Sequence, residues 1–133
     1  MFSHIMVGAN DVEAMVAFYD AILEPLGLVR DLRKTVDRPA GFIWHRRGER
    51  WPQFAIRRPF NGQPATVGNG VQISFAAQTR ERVRTAWQTA LRNGGSDEGK
   101  PDIRPQYNAD FFAAYCRDIE GNKLCFVHAG ELS

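Results

Sequence analysis

The sequence predicts an α+β fold of two βαβββ modules, forming a curved, cleft-enclosing mixed sheet with the helices outside. Three observations lead there. The chain repeats its residue classes at an offset close to half its length. Each half reads as a strand, a helix and then further strands. A half of about 65 residues has one helix to cover one face of a four-stranded sheet, so the other face needs a partner.

The repeat justifies the two modules. In the early part of each half, His4 aligns with Gln72, Val7 with Phe75, Met15 with Val83, Tyr19 with Trp87 and Gly27 with Gly95. In the later part, Phe42 aligns with Phe112, His45 with Tyr115, Ala55 with Cys125 and Ile56 with Phe126. Module 1 spans about residues 1–60, a Gly- and Pro-rich linker about 61–69, and module 2 about 70–130, all within one domain of 133 residues.

The elements follow in order. Ser3–Ala9 is a short apolar strand. Asn10 is the expected helix cap, with Glu13 three residues on. Val12, Met15, Val16, Tyr19, Ile22 and Leu23 recur at helical spacing and form one apolar face. Pro25 and Gly27 stop that helix. Strands are expected at Leu28–Lys34, Gly41–Arg47 and Gln53–Arg57. In the second half, Gly70–Ala77 is a strand and Thr79 caps a helix with Val83, Trp87, Ala90 and Leu91 inward. Residues 96–107, rich in Gly, Pro and charge, read as a loop that can hold one irregular strand. Phe111–Arg117 and Lys123–His128 close the module through the turn Asp118-Ile119-Glu120-Gly121-Asn122.

Composition excludes several classes. The chain is 44% hydrophobic and 24% charged, values of an ordinary folded domain, which argues against disorder. A net charge of +2 is too mild to argue for nucleic-acid binding. No apolar run reaches the roughly 20 residues of a membrane span. The start MFSHIMVGAND lacks the basic and apolar regions of a secretory signal. The two cysteines, Cys116 and Cys125, fall on neighbouring strands, where reduced thiols in a cytoplasm are expected over a bridge.

The segments SHIMVGANDVEAMVAFYDAILEPLGL, NGVQISFAA and RPQYNADFFAAYCRDIEGNKLCFVHAG together resemble the vicinal oxygen chelate superfamily. That group includes glyoxalase I, bleomycin-resistance proteins and extradiol dioxygenases. The resemblance spans essentially the whole chain. It implies the glyoxalase-type fold, a small organic ligand in the cleft and a homodimer. It does not choose among chemistries, because one scaffold hosts many.

Metalloenzymes of that superfamily place one ligand on the first and one on the last strand of each module. Carried over by position, the four slots are His4, Ala55, Gln72 and Cys125. The resemblance therefore implies His4 and Gln72 as candidate metal ligands, for zinc, nickel, manganese or iron. The chain departs from the pattern at the other two slots, where a carboxylate is usual. A divalent ion that activates a substrate oxygen wants hard or borderline ligands, carboxylates among them. Ala55 offers no donor, and Cys125 reads as a small buried apolar residue or a thiolate ligand.

Strand alternation extends the cleft candidates. Arg57 shares a face with Ala55, and Ser74 shares one with Gln72. Arg57 is suited to an anionic group. Trp44 and Tyr107 are aromatic candidates for contact with an organic ligand, Tyr107 because it sits in a loop before a cleft strand. The ligand-binding set is thus His4, Gln72, Arg57, Tyr107, Trp44, Ser74 and Cys125. Three functions compete. The favoured one is a glyoxalase/bleomycin-resistance-like binder of a small organic molecule, without a complete catalytic metal site and with no cofactor. The second is a divergent metal-dependent lyase or isomerase related to lactoylglutathione lyase, its ion held by His4 and Gln72. The third is an interaction module with a closed, vestigial cleft.

Overall fold

Both halves of the chain fold with the same strand order, and their helix-bearing faces meet in one core. The computed structural model describes residues 1–33 and 41–132. The elements are β1 (His4–Gly8), α1 (Val12–Leu23), β2 (Leu28–Arg30), β3 (Gly41–Arg46), β4 (Gln53–Arg57), β5 (Gln72–Ala76), α2 (Arg80–Arg92), β6 (Ser96–Ile103), β7 (Phe112–Arg117) and β8 (Lys123–His128). The strands form two four-stranded sheets, ordered β1-β4-β3-β2 and β5-β8-β7-β6. The predicted end of the second strand, Lys34, lies outside the described residues.

The register confirms the duplication. β1 runs parallel to β4 with Met6 opposite Ala55, and β5 runs parallel to β8 with Ser74 opposite Cys125. The other neighbours are antiparallel. Ala55 is flanked on its other side by Ile43, and Cys125 by Tyr115. The counterpart of Tyr115 is therefore Ile43, two residues before His45. A slip of two keeps every side chain on its face, so hydrophobic alternation alone does not detect it.

Helix α1 buries the predicted face and adds Phe18. Its cap is Asp11 rather than Asn10, with the Asp11 carboxylate accepting from Ala14 N at 3.0 Å. Such a cap stabilises by about 1 kcal/mol. The Asn10 side chain is engaged elsewhere: it accepts from Ala65 N at 2.7 Å and donates to Ala65 O at 3.1 Å, tying the linker down. Residues Glu24–Leu26 add a 3-10 turn, and Gly27 closes it at φ 79°, a conformation that glycine adopts without strain. In α2 the Thr79 hydroxyl accepts from Arg82 N at 3.1 Å.

The core joins the modules. Met15, Tyr19, Trp44 and Phe54 from the first pack with Phe75, Val83 and Phe126 from the second. The Phe54 and Phe75 rings meet edge-on at 5.2 Å between centroids. The turn after β7 adds a polar latch. Asp118, 4% exposed, accepts a hydrogen bond from Tyr19 OH at 2.6 Å and others from the backbone of Glu120 and Asn122. The Glu120 carboxylate accepts from the backbone of Asn10 and Asp11 at 2.8 and 2.9 Å, at the positive N-terminus of α1. Joined through their helix sides, the two sheets share no strand pairing among the described residues.

Residues 96–103 form the irregular strand that the sequence allowed, longer than a loop with a short strand would give, and the Gly and Pro content appears as two register shifts in its pairing with β7. Gly99 sits at both shifts. A Cβ there would stand 3.0 Å from the Tyr115 ring and 3.3 Å from the Arg104 guanidinium. Cys116 and Cys125 are both free and buried. Alternation sends Cys116 to the helix side and Cys125 to the opposite face, so a bridge between them is sterically closed.

Candidate functional site

Each sheet keeps one face without a helix. On module 1 that face carries His4 and Met6 of β1, Gln53, Ala55 and Arg57 of β4, and Ile43 of β3, as the pairing register requires. On module 2 it carries Gln72 and Ser74 of β5, Lys123, Cys125 and Val127 of β8, and Ala113 and Tyr115 of β7. All four positions aligned with metal-ligand slots thus fall on the two free faces.

Their surroundings differ. His4 is exposed, with its Nδ1 at 2.9 Å from Ser3 Oγ. Ala55 is half-buried and carries no donor atom. Gln72 is exposed and donates through Nε2 to Ser74 Oγ at 3.1 Å. Cys125 is 1% exposed and packs with Ala113, Val127, Phe111 and Tyr115. Burial pushes its thiol pKa up, opposed in part by hydrogen bonds from Ser74 and Tyr115 and by the charges of Arg104 and Lys123. A thiol held protonated is a poor metal ligand.

These residues do not fit a divalent ion. One slot is hydrocarbon and one is a buried thiol. Among the described residues no three His, Cys, Asp or Glu side chains are grouped to hold a metal. Within a single chain His4 and Gln72 also line different hollows. His4 and Ser74 lie at one of about 440 Å³ between β1 and β5, whose inner wall is apolar through Ile5, Phe54 and Phe75. Gln72 lines another with Lys123 and Arg117.

The remaining candidates separate. Arg57 borders a hollow beside the linker with Met6 and Pro59, and its Nε donates to Arg58 O at 3.2 Å. Tyr107 is exposed, its ring 5.2 Å from that of Phe111. Trp44 does not reach the free face. Its pairing with Phe54 puts it on the helix side, where it is 1% exposed and donates from Nε1 to Asp20 at 2.9 Å. It touches only the inner wall of the hollow between β1 and β5.

The free face of module 2 also holds a cluster that sequence reading did not single out. Arg104, just past β6, lies with its guanidinium carbon 5.4 Å from the Tyr115 ring centroid, and Lys123 Nζ lies 5.6 Å from the same centroid. Alternation from Cys125 finds Lys123, but Arg104 follows an irregular strand whose register the sequence does not set. Desolvation raises the Tyr115 phenol to about 12.

With this fold and pair of free faces, the chain belongs to the glyoxalase/bleomycin resistance protein/dioxygenase superfamily, whose family model matches residues 1–126. It is similar to a glyoxalase/bleomycin resistance protein from Albidiferax ferrireducens T118, at 39% identity and a TM-score of 0.80, over 97% of this chain and 98% of that one. Its fold is also that of a glyoxalase-related enzyme from Fulvimarina pelagi, at 18% identity and a TM-score of 0.70, over 97% and 88% of the two chains. A family enzyme from Burkholderia phytofirmans PsJN, at 16% identity and a TM-score of 0.69, covers 95% and 96%. No curated protein matches the chain.

Proposed function

We propose that this protein binds a small organic molecule on its helix-free faces without a complete catalytic metal site. The observation that carries this reading is the donor set at the four slots: hydrocarbon at Ala55 and a buried, proton-retaining thiol at Cys125. Neither can replace the carboxylates that balance an ion's charge. His4, Gln72, Ser74, Arg57 and Tyr107 then act as ligand contacts, with Cys125 as part of the floor. The name of the Albidiferax relative, glyoxalase/bleomycin resistance protein, spans an enzyme and a binder and is compatible with this reading.

The binding unit is a homodimer. Among the described residues strands β1 and β5 are each paired on one side only, and exposed Phe2, Ile5 and Met6 lie at or beside the free edge of β1. Unpaired edges of this kind are normally covered. A second copy laid against them sets the module 1 face of one chain against the module 2 face of the other and encloses a cleft. Two reduced, buried thiols fit a cytoplasmic location.

A thermal-shift screen of small organic molecules, with light scattering to fix the oligomer, tests the reading. The expected result is a dimer whose melting temperature rises with particular ligands, equally with and without added divalent ions. A monomer, or stabilisation that requires an added ion, overturns it.

A further inference from the structure

We infer that Arg104 and Lys123 form a subsite for an organic oxyanion, a carboxylate or phosphate ester carried by the molecule bound at the module 2 face. The inference rests on the ligand-binding reading above and gives that ligand a charge.

Arg104 is the firmer half of the site. Its Nη2 donates to the carbonyls of Lys100 and Ala113, the latter at 3.4 Å, which fixes the guanidinium against the sheet. Its Nε is shut away from solvent with no acceptor among the described residues. A buried donor left unpaired in this way calls for an explanation. Here it marks a cation that is positioned and partly stripped of water, yet not neutralised. No carboxylate forms an ion pair with Arg104 or Lys123 among the described residues, whereas neighbouring Arg117 is engaged by Glu98 at 2.8 Å.

The surroundings carry the same sign. Arg104 and Lys123 both act on the Cys125 thiol as cations, and Arg104 acts on the Tyr115 phenol as well. The absence of a side chain at Gly99 leaves room for the guanidinium beside the ring. An oxyanion on the outer edge of Arg104 would gain charge-assisted hydrogen bonds there, with Lys123 at the same ring adding attraction over a longer distance. The partly buried Phe111 and Tyr115 rings border the cations and give the site an apolar rim, which favours an organic anion over an inorganic one.

The test uses the full-length protein and three probes of similar size: benzoate, phenyl phosphate and the neutral benzamide. Titration calorimetry at low salt is expected to show one or both anions binding at least tenfold more tightly than benzamide. Arg104→Gln and Lys123→Gln should each weaken the anions about tenfold and leave benzamide unchanged. Lys123 is the control for folding, since among the described residues its ammonium makes no hydrogen bond and only rests against the Tyr115 ring. The Arg104 Nε–H resonance should shift on anion binding. Equal binding of anions and benzamide, or anion affinities untouched by both substitutions, overturns the subsite and leaves the ligand reading standing. No binding of either anion to folded protein overturns the subsite, while the thermal-shift screen decides the ligand reading.

Discussion

The two modules share a topology and differ on the face that matters. On module 1 the free face is open: His4 and Met6 are exposed and Ala55 is half-buried. On module 2 the equivalent face carries a small core of its own, with Cys125, Val127 and Ala113 buried under Phe111 and Tyr115. The turns differ too. The module 2 turn latches α1 through Asp118 and Glu120, while the module 1 turn ends in an exposed Trp51. The helix side is held alike in both halves because one shared core demands it. The free sides have diverged, one wall open and uncharged at its centre, the other packed and cationic.

Breaking the shared side has the largest effect. Trp44→Ala removes a fully buried indole and leaves Asp20 without its Nε1 donor, so stability in urea should fall by about 3–5 kcal/mol. A loss under 1 kcal/mol would put Trp44 outside the core. High pH acts next, on both modules, since burial and Asp118 also hold the Tyr19 phenol of α1 well above its usual value. Burial raises the Cys116 thiol from its usual 9.0 to about 12, and Tyr115 from 10.0 to about 12. Between those limits the unfolded chain gives up protons that the folded one keeps, so stability is intact below pH 9 and lost as pH rises towards 12. From Cys116 alone the loss is on the order of 4 kcal/mol. Denaturation midpoints measured from pH 7 to 11 should fall, and less steeply for Cys116→Ala.

The latch ranks third. Asp118→Ala strands the Tyr19 hydroxyl in the core, and a loss of about 2–3 kcal/mol is expected, with hydrogen exchange quickening at the start of α1. Unchanged exchange there would show that the modules are held by apolar packing alone. The smallest effects sharpen the comparison of the free faces. Cys125→Ala should destabilise by about 1 kcal/mol, while Ala55→Cys should change stability by less than about 0.5 kcal/mol, because only the first lies within a packed cluster. Equal effects would erase the distinction.

Much of the fold is legible in the sequence. Helical spacing finds the face of α1, and the duplication finds the two βαβββ modules. Three features escape for physical reasons. Alternation has a period of two, so it leaves the alignment of β3 with β7 two residues out and does not tell which face Trp44 takes. Proline and glycine mark irregularity, and β6 holds its irregularity as register shifts inside a strand. Arg104 becomes visible only once Tyr115 and the β6 path share a face. The slots at His4, Ala55, Gln72 and Cys125 are legible by position, but the burial of Cys125 depends on Phe111 and Tyr115 folding over it.

Metal content decides the central claim most directly. Tag-free protein would be measured by elemental mass spectrometry as purified, and again after exposure to nickel, zinc, manganese and ferrous iron followed by dialysis. A face with hydrocarbon at Ala55 and a protonated thiol at Cys125 should retain no stoichiometric ion. One ion retained per chain, and lost in His4→Ala, would contradict the account and place a catalytic metal between the modules.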